Sequence, residues 1–423
     1  MNGLGPDEPT TAHSALEANL RLIPWHMAFT YGFAWIPVFV LFTRARFGLD
    51  GAVLLAGLYY LFVVVLEVPS GWMSDRLGRV LTLRVAAVGF VAAHLCFTLG
   101  GSFAIILLGQ WCLAVGFSSL SGTDISFHYD TLESLERHTN FTADRARVTT
   151  IGLISGAGSA LMGGLLGLIN LRLAFAASLL LAAAQLVLAF RLSEPPSITR
   201  ADPLGRQLRR CLGHLRDRYL GWIFLYGIAM VTLEHLAFTM MQPWLTEVLG
   251  ATADKVESTP GLAGGLFAAT SLVGAVAVRT VPRLDRRVGT PAALIGLAVL
   301  SAVIVSGMAW STHWVVVPLV VLRSVQGAAG PVLIGAAVAP RVPREQRATV
   351  LSLNSLAGRM GYGVVLVLVS LMGSSQSGAS YESVALVLQW FTVLAWVLVG
   401  LLVLSALIGR QGWRTERVPT STA

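Results

Sequence analysis

Runs of apolar residues close to 20 residues long recur along the whole chain, separated by short polar segments. An α-helix rises 1.5 Å per residue, so about 20 apolar residues cross a hydrocarbon core of about 30 Å. The pattern predicts an all-α polytopic membrane protein with twelve transmembrane helices, which we call spans 1 to 12. Their approximate limits are residues 23–43, 52–72, 81–99, 103–123, 148–169, 172–191, 220–242, 261–281, 291–310, 313–335, 349–372 and 384–408.

The composition agrees with this pattern and excludes most soluble enzyme folds. Of the 423 residues, 55% are hydrophobic and only 12% are charged, against about 25% charged in an ordinary globular protein. The mean hydropathy is +0.71. The three cysteines, Cys96, Cys112 and Cys211, are too few and too scattered to predict a disulfide framework.

The distribution of basic residues predicts the orientation of the chain. If the amino terminus is cytoplasmic, 24 of the 30 basic residues lie on the cytoplasmic side and only Arg44, Arg46, Arg172 and Lys255 on the other. This asymmetry places both termini inside by the positive-inside rule. The net charge of +8 is then a topological signal, and no nucleic-acid partner is predicted. The amino terminus lacks a basic n-region, so we expect the first span to be retained.

A basic linker divides the spans into two sets of six. The predicted organisation is a cytoplasmic segment at 1–22, a six-helix half at 23–192, the linker at 193–218, a second six-helix half at 219–408 and a cytoplasmic tail at 409–423. Seven residues recur at an offset of 200, from Arg147 to Gly163 and from Arg347 to Gly363. Two pseudo-symmetric halves are typical of secondary transporters, whose substrate site lies between them at the midplane.

One segment carries a family resemblance. The sequence Gly71-Trp72-Met73-Ser74-Asp75-Arg76-Leu77-Gly78-Arg79, after span 2, resembles the G-x-x-x-D-R-x-G-R signature of the major facilitator superfamily (MFS). The resemblance extends to bacterial drug and metabolite exporters. It implies that Gly71, Asp75, Arg76, Gly78 and Arg79 form a conformational latch between the halves. A charged stop to the two helices is the simpler alternative.

Other segments depart from the family pattern. The second-half segment from Arg283 to Gly289 is a degraded copy of the signature and predicts a weaker latch. The family's R-x-x-Q-G motif, usually found in span 4 and associated with proton handling, is resembled by Arg323-Ser324-Val325-Gln326-Gly327 in span 10. Span 5 loosely resembles an antiporter motif, although close packing of helices through small residues also explains its glycines.

Ionisable residues inside the spans are candidates for coupling, since each charge there costs about 2.5–3.5 kcal/mol on insertion scales. The family implies that spans 1, 4, 7 and 10 line the cavity, so we expect Glu234 and Arg323 to face each other. This pair is either a proton switch or a static ion pair. Glu67 and Arg359 lie at comparable depths and predict a bridge between the halves.

A further pair lies at the cytoplasmic end of span 4. Asp124 and His128 are four residues apart, which puts both on one helix face. They predict either a site for protons or cations, or a solvated helix end.

The cavity candidates are Tyr31, Trp35, Gln110, Gln326 and Asn354, together with methionines of span 7. Aromatic and methionine side chains with few polar groups suit an amphiphilic compound. We found no catalytic, nucleotide or metal motif, so no enzyme, cofactor or metal is predicted.

The sequence therefore predicts a monomeric secondary transporter of the bacterial inner membrane, exporting a small amphiphilic organic compound against protons by alternating access. Two alternatives stay open. One is a proton-coupled or facilitative importer of a small nutrient. The other, of a different class, is a non-transporting sensor or lipid-translocating protein of the same fold.

Overall fold

The computed structural model describes residues 8–196, 202–249, 260–373 and 381–409, and the regular structure of these residues is entirely helical. The α-helices are α1 (Glu8–Thr30), α2 (Phe39–Leu77), α3 (Arg79–Leu99), α4 (Phe103–Leu120), α5 (Thr123–Ser134), α6 (Phe141–Ile169), α7 (Leu171–Arg191), α8 (Leu204–Gly213), α9 (Arg218–Leu249), α10 (Pro260–Val288), α11 (Thr290–Trp310), α12 (Val316–Val321), α13 (Arg323–Val338), α14 (Arg344–Gly373) and α15 (Tyr381–Gly409). The 3₁₀ turns are Ile36–Val38, His138–Asn140 and His214–Arg216.

The helices confirm the all-α membrane fold. Within the described ranges, nine helices are long and apolar enough to cross a membrane. Predicted spans 7 and 11 correspond to α9 and α14, whose side chains are described only in part. The predicted cytoplasmic segment 1–22 is helical from Glu8 and continuous with span 1. Of the predicted tail, residues 410–423 lie outside the described residues.

Span 1 is not the continuous helix that the apolar pattern predicts. Helix α1 ends at Thr30, and a 3₁₀ turn at Ile36–Val38 precedes α2. Pro37 has no backbone N–H to donate to a helix. Irregular backbone at membrane depth must be covered by protein. Gly163 of α6 provides this cover, because a Cβ atom there would overlap the carbonyl group of Ala34.

Span 10 is also interrupted, whereas the sequence predicted one helix over 313–335. Helix α12 ends at Val321 and α13 begins at Arg323. At the junction the backbone N–H groups of Leu322 and Val325 donate to carbonyl groups three residues earlier, at 3.1 and 2.9 Å. These short-range bonds tighten the helix locally. Arg323 therefore opens a new helix inside the span.

The two halves pack along two interfaces, α2 with α14 and α6 with α10. The second is the most extensive helix contact among the described residues. Its helices approach closely at Gly164 and Gly264, where a Cβ on Gly264 would lie 3.0 Å from the Cα of Gly164. Small residues of this kind let membrane helices gain van der Waals contact.

We expect Gly164→Ala to lower the midpoint temperature of thermal unfolding. The added methyl group would lie 2.7 Å from the carbonyl oxygen of Pro260, and overpacking of this kind costs about 1–3 kcal/mol. Gly158→Ala is the matched control, since no atom lies within 4 Å of a Cβ at that position of the same helix. Its midpoint should be unchanged or slightly higher. Equal midpoints for the two variants would contradict a tight contact at Gly164.

Candidate functional site

The turn between α2 and α3 binds the first turn of α14, at what we call the latch end of the bundle. The carboxylate of Asp75, fully buried, accepts hydrogen bonds from the backbone N–H groups of Ala348 (3.2 Å) and Thr349 (2.9 Å) and from the Thr349 hydroxyl. A carboxylate near a helix N-terminus is stabilised by the positive end of the helix dipole. Asp75 thus ties one half to the other.

Two side chains also bind carbonyl groups at the start of α14. These are the carbonyl groups of Arg344 and Glu345, the first two residues of the helix. Here these two carbonyl oxygens accept from the Arg79 guanidinium and the Gln207 amide. The first turn of α14 is therefore held on both its donor and its acceptor groups by residues from outside the second half.

Arg79 and Asp130 extend this contact into a buried charge network. The Arg79 side chain is 2% exposed; it pairs with Asp75 and donates through Nε to Asp130 at 3.0 Å. Asp130, on α5, also accepts from Arg344 at 3.1 Å and from Arg347. Charges in a buried network are costly unless each is paired, and here arginines of both halves surround one carboxylate.

Three further residues shape the turn between α2 and α3. Gly71 lies against Ser352, whose Oγ would be 2.7 Å from a Cβ at that position. Gly78 has φ +118°, a conformation that favours glycine. The Glu194 carboxylate accepts from the backbone N–H groups of Arg79 (2.8 Å) and Val80 (2.7 Å) and so caps α3. Arg76 lies over the ring of Trp72 at 5.6 Å, away from the interface.

The linker between the halves contributes to the latch, which the sequence did not predict. Gln207 and Cys211 are the buried residues of α8. Beyond its bond to Glu345, Gln207 lies 3.4 Å from Asp75. His214 shares a hydrogen bond of 2.7 Å with Gln346. Burial raises the pKa of the Cys211 thiol to about 12, with the nearby Asp75 charge adding to the effect.

Glu67 and Arg359 form a second connection between the halves. The Arg359 guanidinium donates to the Glu67 carboxylate at 2.7 Å, and the Ser121 hydroxyl donates to the other carboxylate oxygen. The Glu67 side chain is fully buried. Glu67 precedes Asp75 by eight residues of one helix, which places this bridge about 12 Å from the latch.

Glu234 and Arg323 lie close together inside the second half. The Glu234 carboxylate packs against Gly327, one helical turn beyond Arg323, where a Cβ would lie 2.5 Å from the Glu234 Oε1 atom. The two charged groups interact electrostatically. On the same two helices, the Tyr226 hydroxyl donates to Gln326 at 3.1 Å, and both residues are buried.

The five cavity candidates do not share one location. Asn354 packs against the α9 backbone at Gly227. Tyr31 lies at the break in span 1, where its ring packs beside Gly152. The other two residues of the first half belong to its interior: Gln110 donates to the Leu55 carbonyl at 3.4 Å, and Trp35 packs among the rings of Phe39, His94 and Phe97.

Asp124 pairs with Arg145 of α6, while the ring of His128 packs against Phe141 at 5.6 Å. A small cavity adjoins the Asp124–Arg145 pair and includes His26. The His26 Nε2 and Arg145 Nη1 atoms are buried there without a hydrogen-bond partner among the described residues. Asp124 and His128 therefore share a helix but make separate contacts.

In the described structure, the degraded second copy of the signature, Arg283 to Gly289, does not bind α6 in the way that the first copy binds α14. The Asp285 carboxylate accepts from the Thr290 hydroxyl at 2.8 Å, within its own turn. A groove of about 690 Å³ separates the ends of α6 and α10 at the latch end. The two pseudo-symmetric interfaces are thus held differently, one by charges and the other by glycine packing.

The chain matches the model of a known protein family. The model for the Major Facilitator Superfamily matches residues 22–317, well over half of the chain. The chain belongs to the Major Facilitator Superfamily. This membership identifies it as a transporter of small molecules and not an enzyme.

Solved structures of MFS transporters share the fold. Nucleoside transporter NupG matches at 13% identity with a TM-score of 0.66, covering 92% of this chain and 99% of its own. The human organic anion transporter MFSD10 matches at 20% identity with a TM-score of 0.65, covering 94% of this chain and 100% of its own. A bacterial homologue of the iron transporter ferroportin matches at 15% identity with a TM-score of 0.67, covering 93% of this chain and 99% of its own. No curated protein sequence matches this chain.

Several charged residues of this MFS latch were not among the sequence candidates. They are Asp130, Glu133, Glu194, Arg344 and Arg347, and all of them contact the network around Arg79. The one sequence feature that could have indicated Arg347 was the internal repeat, because Arg347 is the first residue of its second copy. The polar residues after span 4 include Asp130, yet nothing in the sequence relates them to a partner more than 200 residues away.

We expect Asp75→Asn to open the latch end of this MFS protein. The lost charged hydrogen bonds are worth about 1.5–3 kcal/mol, which corresponds to a roughly 10- to 100-fold larger open population. In a Cys96→Ser/Cys112→Ser background, the rate of maleimide labelling of Cys211 should rise accordingly, because only an accessible thiolate reacts.

Glu17→Gln in the same background is the control for this labelling experiment. It removes one carboxylate from the solvent-accessible ion pair with Arg137, which is separate from the ion pairs of Asp75 and Arg79. Labelling of Cys211 should keep its wild-type rate in this variant. If Asp75→Asn also labels at the wild-type rate, the Asp75 charge does not hold the latch closed.

The Glu67–Arg359 bridge is expected to stabilise the folded protein cooperatively. Glu67→Gln or Arg359→Gln alone should each cost about 3–5 kcal/mol of unfolding free energy, since each leaves a partner unpaired. A double-mutant cycle should give a coupling energy of about 1–3 kcal/mol. The exposed Glu17–Arg137 pair serves as the control cycle, with a coupling below about 1 kcal/mol. Additive effects at Glu67 and Arg359 would contradict a direct bridge.

Proposed function

We propose that this MFS protein exports a small amphiphilic organic compound in exchange for protons, across the bacterial inner membrane with both termini in the cytoplasm. The basic residues concentrated at the latch end support the cytoplasmic orientation. Transport proceeds by alternating access, in which the two six-helix halves rock against each other around a central site.

The observation that carries the proposal is the Glu67–Arg359 bridge. It joins the halves at membrane depth through a fully buried carboxylate. Protonation of Glu67 removes the charge that binds Arg359, and thereby removes one of the contacts that hold the halves together at this end. A proton taken up at Glu67 can therefore bias the equilibrium between the two access states.

Glu234 and Arg323 are the second coupling pair in this proposal. They lie within the second half, beside the buried Tyr226–Gln326 hydrogen bond. Arg323 begins α13, so its position depends on the break in span 10. A cationic or hydrogen-bonding substrate that competes with Arg323 for Glu234 would exchange for a proton at the same carboxylate.

The proposed substrate class follows from the residues available to it. Tyr31 provides an aromatic face, whereas the amide groups of Gln110 and Gln326 are engaged with the backbone of α2 and with Tyr226. This is a sparse set of polar groups for a highly hydroxylated sugar. It suits a compound with an extended apolar surface and one or two polar groups.

Proteoliposomes containing a pH-sensitive dye test the proposal. Tetraphenylphosphonium, a neutral drug and a sugar are added in turn outside, and the internal pH is recorded. Antiport predicts a rise in internal pH upon addition of a transported compound, whichever way the protein is inserted. A fall in internal pH would indicate symport and favour an importer. No flux of labelled compound despite binding would favour a sensor.

The variants Glu67→Gln and Glu234→Gln assign the proton sites. Each should lose compound-driven proton movement while still exchanging labelled compound at equal pH, because exchange needs no net change in protonation. Glu17→Gln is the matched control and should behave as wild type. If both variants keep wild-type proton movement, neither carboxylate carries the coupling proton.

A further inference from the structure

The groove between α6 and α10 at the latch end is lined by a cluster of arginines. Arg147 lies on the α6 side, and Arg279, Arg283 and Arg286 lie on the α10 side. All four side chains are exposed. The groove has a volume of about 690 Å³, enough for the polar group of a lipid. Its two walls belong to different halves of the transporter.

These arginines lack the carboxylate partners that Arg79, Arg344 and Arg347 possess. In the described part of the chain, none of the four forms an ion pair. The half-buried Asp144 interacts electrostatically with Arg147 from one turn away. Asp285 is engaged with Thr290. The groove therefore carries an uncompensated positive charge.

The floor of the groove is formed by buried residues. Ala146 and Thr150 line it and are buried. Near the start of the same helix, Phe141 and the neighbouring Ile125 pack against Gly335 of α13. A molecule in the groove would thus reach it from the membrane or the aqueous surface.

Both walls continue as apolar stripes from the arginines towards the middle of the membrane. On α6 the stripe continues from Arg147 through Ile154, Leu161 and Leu165, at intervals of seven, seven and four residues, which keep to one helix face. These three apolar side chains are 46–63% exposed.

The α10 stripe has the same form. From Arg279 it continues through Val276 and Leu272, which are 68% and 46% exposed. Basic residues at one end and exposed apolar side chains beyond them match an amphiphile with an anionic head and apolar chains.

We propose that this groove binds an anionic phospholipid, with its phosphate among Arg147, Arg279, Arg283 and Arg286 and its acyl chains along the two stripes. Basic pockets between membrane helices on the cytoplasmic side are suited to anionic headgroups. A free phosphate compound would use the arginines and leave the stripes uncovered. The bound lipid bridges the two halves at the end where α6 and α10 make no latch.

Native mass spectrometry of the purified full chain in detergent tests the proposal. Dioctanoyl-phosphatidylglycerol is titrated, with dioctanoyl-phosphatidylcholine as the zwitterionic comparison and glycerol 3-phosphate as the head without chains. We expect one phosphatidylglycerol to bind more tightly than either comparison. Each arginine near an anionic lipid contributes about fivefold, so Arg279→Gln/Arg283→Gln should weaken binding about 25-fold.

Arg209→Gln/Arg287→Gln is the matched control, because both residues are exposed at the same end and outside the groove. This control removes the same charge and should change binding no more than about twofold. Equal weakening in both double variants would reduce the effect to general surface charge and overturn the proposal. Equally tight binding of phosphatidylcholine or glycerol 3-phosphate would also overturn it. The readout requires no transport, so it stands apart from a failure of proton-coupled export.

Discussion

The structure depends on the buried carboxylate of Asp75, a residue of α2 that binds near the start of α14. Asp75 bonds to two backbone N–H groups of the other half, and Arg79 next to it occupies a carbonyl group of the same turn. A buried carboxylate without such partners would carry a large desolvation penalty. The contact between the halves at this end therefore supplies hydrogen-bond partners that offset the burial of Asp75, in addition to Arg79 of its own half. Gln207 of the linker helix completes the same contact.

The latch and the Glu67–Arg359 bridge lie on the same two helices, α2 and α14. Because both contacts join the same two helices, separation of α2 from α14 breaks both of them. Among its described residues, the opposite interface has no comparable ion pairs along its packed part, where glycines of α6 and α10 meet. A rocking motion can therefore break ion pairs on one side while the other side turns about a van der Waals contact.

The helices could be predicted because the bilayer fixes the length of an apolar segment. The Glu67–Arg359 contact was predicted by counting residues from the surface, since the helical rise converts sequence distance into depth. The breaks at Pro37 and Leu322 could not be predicted, because tertiary packing permits them and the apolar pattern continues through both. Gln110 shows the same limit: composition identifies a polar residue in a span without saying which neighbour it faces.

The partners of Asp130 could not be predicted from the sequence for a related reason. Arg344 and Arg347 follow it by more than 200 residues, and their meeting depends on how two halves dock. Periodicity within one helix contains no information on that docking. The motif Gly71 to Arg79 was recognisable only because its residues are contiguous.

The latch end contains two classes of arginine that differ in their access to mobile ions. Arg79 and Arg347 are 2% and 6% exposed and touch their carboxylates directly, so dissolved salt hardly reaches them. Arg279 and Arg283 face the aqueous surface, where physiological ionic strength screens charges beyond about 8 Å. Changes in salt concentration therefore alter the electrostatic field at the mouth of the groove while leaving the closure between α2 and α14 nearly untouched.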